Sequence, residues 1–191
     1  SFRYNVICNG QTNEQERAYS QIAVKISEGH IQTVDAVKAA LLQLYPDDEI
    51  FRAAVEKKAL VTTNSRNRRI VRKILFQVEK HLSGQDFDFE SDKYNIEHIL
   101  PEHPGEDWKD YDENSEEEFI YRLGNMTLMA ASENRDIGNS SYSAKREVFR
   151  ESTFAMTQKI AEDYADWNSD KIVSRQNWLA RQIASLWRID Y

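Results

Sequence analysis

The stretch YNIEHILPEHPG, Tyr94 to Gly105, sets Glu97 and His98 side by side in a short apolar run that Pro101 stops. It is too short and too rich in β-formers for a free-standing helix, so it reads as a strand entering a turn. A charged pair inside an apolar run is costly unless a structural partner or a chemical task meets it. Further on, GNMTLMAA offers a second short strand opened by Gly124. SENRDIGNSSYSAKREVF then reads as a helix start, a break at Gly138 and further helix from about Ser143. Strand, strand, helix is a compact frame able to aim polar side chains at one spot.

Outward from this island the chain is helical. Asn13 can cap a helix that Gly29 ends, and Thr33 begins a second whose apolar stripe is Val34, Val37, Leu41 and Leu44, closed by Pro46. DDEIFRAAVEKKAL reads as a third, and SRNRRIVRKILFQVEKHLSG as a fourth, with Ile70, Ile74, Leu75, Val78 and Leu82 on one side and Gly84 as its stop. STFAMTQKIAEDYADW and SDKIVSRQNWLARQIASLWRI supply two more, the last capped by Ser169 and striped by Ile172, Trp178, Leu179, Ile183 and Leu186. Such stripes are core. The fold class is therefore mainly α (α+β): helices at 1–90, a small ββα island at 91–150, and C-terminal helices at 151–191 that pack on it.

Composition restricts the function classes. At 191 residues, with 40% hydrophobic and 30% charged residues, the chain can bury one substantial core, or a core with a helical appendage. No apolar stretch is long enough to cross a bilayer, so no membrane role is expected. The single cysteine, Cys8, excludes an internal disulfide and a cysteine-ligated zinc site, and fits a cytoplasmic setting. The abrupt opening SFRYNVI reads as part of something longer. A net charge of −7 does not favour nucleic acid, yet charge is uneven. Acidic residues crowd EDWKDYDENSEEEF, whereas Arg66, Arg68, Arg69, Arg72 and Lys73 cluster in one helix. That basic cluster describes either a solvated face or a DNA-contacting one.

Several chemistries drop out. The next histidine after His98 is His103, five positions on and across a proline, so the paired-histidine helix of a zincin is absent. No Gly-x-Ser-x-Gly elbow and no phosphate-cradling glycine loop occur. Taken alone, Glu97 and His98 equally describe a core histidine beside its charge partner.

They do not stand alone. IEHILP is followed by LGNMTLM, then by SENRDIGN and YSAK. Together these resemble the HNH, or His-Me finger, nucleases, and more specifically the C-terminal domain of GmrSD-type modification-dependent restriction endonucleases and related phage-defence proteins. Trp167, Ile172, Arg175, Leu179 and Trp187 look like that family's closing pattern, and RYNVI like its opening.

The resemblance implies a ββα-metal core that nicks or cleaves DNA with Mg2+ or Mn2+. It makes His98 the general base, Glu97 and Asn134 the metal ligands, and Asn125 the residue that holds the loop and orients the histidine. Lys145 would meet a phosphate. On a regular strand Glu97 points away from His98, so this ligand set requires the strand to bend or end there. An asparagine rather than a histidine at 134 favours Mg2+ over softer metals. The resemblance also implies a nucleotide-using sensor half absent from this chain, a DNA partner, and a homodimer where both strands are cut. Arg66, Arg68, Arg69, Arg72 and Lys73 would touch DNA or dock that half. A catalytically inactive DNA-binding or interaction domain, and an RNA nuclease, are the other readings of the same motif.

Overall fold

The computed structural model describes residues 2–108 and 118–188; most of the acidic stretch, at 109–117, lies outside the described residues. The chain divides into two compact units, Ser1–Val55 with Trp187–Tyr191, and Glu56–Leu186.

In the first unit, a π-helical turn Phe2–Ile7 precedes helices α1 (Thr12–Ser27), α2 (Val34–Leu41) and α3 (Asp48–Lys57). The Arg3 guanidinium lies 4.3 Å from the Tyr45 ring centroid and 4.2 Å from that of Phe51, and pairs with Asp48 at 2.7 Å. Phe2 packs on Trp187 with centroids 4.7 Å apart. Two expectations change here. Gln11, not Asn13, holds the cap position of α1, and α2 carries no buried residue, with Val34 72% exposed. Periodicity marks an apolar face but does not determine what covers it. Thr33 caps α2 as its sequence suggests, accepting from the Ala36 amide.

The second unit holds α4 (Ser65–Ser83), strands β1 (Tyr94–His98) and β2 (Met126–Ala130), and helices α5 (Ala131–Ile137), α6 (Tyr142–Arg150), α7 (Ala155–Asp163) and α8 (Ser169–Leu186). Asn64 caps α4 by accepting from the amides of Arg66 and Asn67, and Gly84 ends it in the left-handed conformation, φ +73°. The third helix stops at Lys57 rather than running to Leu60. Ala59 instead bridges antiparallel to Arg122, and Leu60 donates to the Tyr121 carbonyl. Asn168, not Ser169, caps α8, its side chain accepting from Lys171.

β1 and β2 pair antiparallel with His98 opposite Met126 and Glu97 opposite Thr127. β2 is buried from Met126 to Met129, a strand covered on both faces, which explains its unbroken apolar sequence. Before it, a 3-10 turn Leu123–Asn125 packs against α8. Gly124 is required there, because a Cβ would meet the Ile172 carbonyl at 2.2 Å. Arg175 of α8, buried to 2% exposure, donates through one nitrogen to the carbonyls of Leu123, Gly124 and Met126. The island is thus a two-stranded sheet followed by helix, clamped at its turn.

Candidate functional site

β1 pairs with β2 through alternate residues, as the bonds from Ile99 to the Asn125 carbonyl and from Ala131 to the Lys93 carbonyl show. The carbonyls of Tyr94, Ile96 and His98 therefore face away from β2, leaving an open edge that needs donors. Three side chains from three helices supply them. Arg72 of α4 donates to Tyr94, Asn134 of α5 donates to Ile96 at 3.1 Å, and Lys145 of α6 donates to His98 at 2.8 Å. All three outward carbonyls are satisfied, and the last of these bonds fixes where His98 sits.

Strand alternation then sends Glu97 and His98 to opposite faces. Glu97 is 5% exposed and pairs with the fully buried Lys145 at 2.5 Å. Burial pushes the Glu97 carboxyl up and the Lys145 ammonium down, each shift opposed by the partner's charge. His98 instead enters a cleft of about 300 Å3 shared with Thr62, Arg68, Asn95, Glu102 and Asn134. Its Nε2 lies 3.2 Å from the Thr62 hydroxyl, and its ring meets Tyr121 edge-on. Burial lowers its pKa to about 4, with Glu102 pulling it up and Lys145 pushing it further down. The imidazole is neutral at pH 7 and able to accept a proton.

The turn after His98 is pinned by Asn125, which is fully buried. Its side-chain oxygen accepts from the Leu100 amide and Trp167 Nε1, and its nitrogen donates to the carbonyls of Leu100 and Ile120. A buried amide with this many bonds holds one rotamer and one loop conformation.

The expected site residues therefore separate. His98 and Asn134 line one cleft together, with Arg68 at its wall. Glu97 and Lys145 do not enter it: the anticipated metal ligand and the anticipated phosphate contact are each other's buried partner. The strand neither bends nor ends early enough to bring Glu97 round. Arg72, expected at DNA, also lines the cleft, with its donors committed to the carbonyls of Phe89, Ser91 and Tyr94. Arg69 pairs with Glu90, Lys73 lies over the Phe89 ring, and Arg66 is exposed at the start of α4. Sequence reasoning missed Thr62 and Glu102, which carry no motif; packing of the 58–64 segment beside β1 brings Thr62 to His98, and the turn after the strand brings Glu102.

A divalent cation is implied by the motif, and the cleft can be tested for it. Asn134 spends its amide nitrogen on Ile96, which leaves its oxygen for a ligand. An amide oxygen in a polar, partly open cleft with room for several waters fits a hydrated hard cation. Glu97 does not fit that role in this arrangement. Among the described residues no cluster of three His, Cys, Asp or Glu side chains is placed to hold a metal.

Compared with known families, residues 45–182 match the one described as GmrSD restriction endonucleases, C-terminal domain. Among curated proteins nothing matches. No helix among the described residues is long and apolar enough to cross a membrane.

Proposed function

The chain belongs to the family of GmrSD restriction endonuclease C-terminal domains, and on that premise we propose that its His98 cleft hydrolyses DNA phosphodiester bonds as a metal-dependent HNH nuclease. The observation that carries the reading is a neutral histidine at the end of a strand, sharing a polar cleft with an asparagine oxygen and an arginine. His98 takes a proton from the attacking water. Asn125 holds the turn beyond it, and the Lys145–Glu97 pair holds its carbonyl, so the ring has one position. Asn134 would hold the cation, and Arg68 would meet a phosphate oxygen. Mg2+ or Mn2+, when bound, supplies neutralisation of the negative charge that builds on the phosphate.

One cleft of this kind acts on one strand, so the reading predicts nicks, with double-strand breaks arising from a homodimer or from successive cuts. A nucleotide-using sensor portion and a role against phage or modified DNA belong to the same reading, and a cytoplasmic setting suits it. Those parts rest on family likeness alone.

Conversion of supercoiled plasmid in Mg2+ or Mn2+ tests it. Wild type should produce nicked circles, and His98→Ala should slow nicking by about 10²–10⁴-fold, the range of a general base. Asn134→Ala should need more metal for the same rate. Equal activity in all three proteins would sink the assignment, and cleavage of RNA in preference to plasmid would move the substrate class.

A further inference from the structure

The segment just before α4, which carries no motif, reaches the catalytic ring. Thr62 is 5% exposed, and its hydroxyl stands 3.2 Å from His98 Nε2 and 3.5 Å from Glu102 Oε1. Its backbone is held too: the Thr62 carbonyl accepts from Arg68 Nε at 3.1 Å, and the neighbouring Val61 carbonyl from Asn67 at 3.1 Å. The first turn of α4 therefore fixes where this hydroxyl sits.

A threonine hydroxyl has one proton to give and can also accept, whereas an ionised carboxylate only accepts. With the Thr62 proton directed at Glu102 Oε1, the hydroxyl meets His98 Nε2 as an acceptor. Thr62 donates to Glu102, and His98 Nε2–H donates to Thr62. Glu102 also lies 3.9 Å from Nε2, where its charge favours a proton on that nitrogen. A neutral imidazole protonated at Nε2 carries its lone pair on Nδ1. Among the described residues, Nδ1 makes no hydrogen bond.

We infer that Thr62 and Glu102 are positioning residues that fix His98 as the Nε2–H tautomer, leaving Nδ1 as the nitrogen that takes the proton from water. This rests on His98 being the general base. When that proton arrives, the ring becomes an imidazolium beside the Glu102 carboxylate, which stabilises the charge the step creates. The chain Glu102–Thr62–His98 thus does for this histidine what a buried carboxylate does for the histidine of a hydrolytic triad, with a hydroxyl between them.

The test reads the tautomer directly. Long-range proton–nitrogen correlation spectra of the 15N-labelled chain at pH 7 distinguish Nε2–H from Nδ1–H rings, and the His98 signals are identified by their loss in His98→Gln. Wild type should show the Nε2–H pattern. Thr62→Val should convert it to a mixture or to Nδ1–H and slow nicking by about tenfold or more, as a mis-set base does. Thr62→Ser should restore both. Glu102→Gln, at a half-buried position, should shift the pattern in the same direction. An Nδ1–H ring in wild type would overturn the inference, as would a wild-type pattern retained in both Thr62→Val and Glu102→Gln. The spectra decide it whether or not the chain nicks DNA; an inactive wild type bears on the nuclease assignment alone.

Discussion

Two neighbouring residues have opposite fates in this molecule. Glu97 is turned into the packed side of β1, where Lys145 neutralises it, and neither side chain is open to a ligand. His98 is turned into a polar cleft, where its contacts are a hydroxyl, a nearby carboxylate and an aromatic edge. The difference shows that a dipeptide carrying a motif can divide its labour across a strand. One residue fixes the backbone of the other, because Lys145 bridges the Glu97 carboxylate and the His98 carbonyl. Buried ion pairs are poor evidence of stability in themselves, since desolvation offsets attraction. Here both members are shifted toward neutrality by burial, so the pair's contribution is placement.

The sharpest way to break this contrast is Lys145→Met. Leaving Glu97 buried without its partner should cost about 3–5 kcal/mol of stability, measured by denaturant unfolding. A Glu97→Leu, Lys145→Met double variant should recover most of that, since apolar replacement of both members is often neutral. If the single variant unfolds at wild-type denaturant concentration, the pair is not the strut described. If both variants stay folded but nicking falls in each, the strut serves geometry rather than stability.

A smaller effect separates the cleft side. The His98 pKa is depressed to about 4 in the fold, against an ordinary value near 6.5. Between those values the unfolded chain binds a proton that the folded chain does not. Stability should therefore rise from pH 4 to pH 6.5, level off above, and be lost on acidification. This group should account for on the order of 2 kcal/mol of that rise, after allowance for partial exposure. Glu102 and Lys145 act on the same ring, so the informative comparison is the difference in slope between wild type and His98→Gln. A slope unchanged by the substitution would show that His98 is not the group responsible.

The smallest effect concerns a cation outside both regions. Arg66 is exposed at the head of α4, unlike Arg72, whose donors are taken up by the 89–94 backbone. Arg66→Ala should leave the melting temperature unchanged. If Arg66 meets a phosphate, the dependence of plasmid binding on log salt should become shallower by about one unit. An unchanged slope would leave it a solvated surface residue.

Local rules made much of this legible. β-branched residues and Pro101 specified a short strand, Thr33 a cap, Gly84 a helix end, and Gly138 the break between two short helices. The α8 cap falls one residue earlier than expected, on the Asn168 side chain, while Gln11 starts α1 with its backbone alone, both decided by the exact entry of the chain. The apolar stripe of α2 was equally legible, but its coverage was not, because amphipathicity says nothing about the surface opposite.

What the sequence determined by itself was the frame: a strand holding Glu97 and His98, a turn holding Asn125, a helix holding Asn134, and the family they identify. Only the tertiary structure decided which side chains meet. Strand alternation separated Glu97 from His98, and the donors demanded by an open sheet edge drew in Arg72, Asn134 and Lys145. Thr62 and Glu102 reached the histidine through contacts across 36 and 4 residues of chain, of which only packing keeps account. Spacing along a chain fixes periodicity and local bonds. The pairing of distant polar groups follows from which ones are buried together and must satisfy one another.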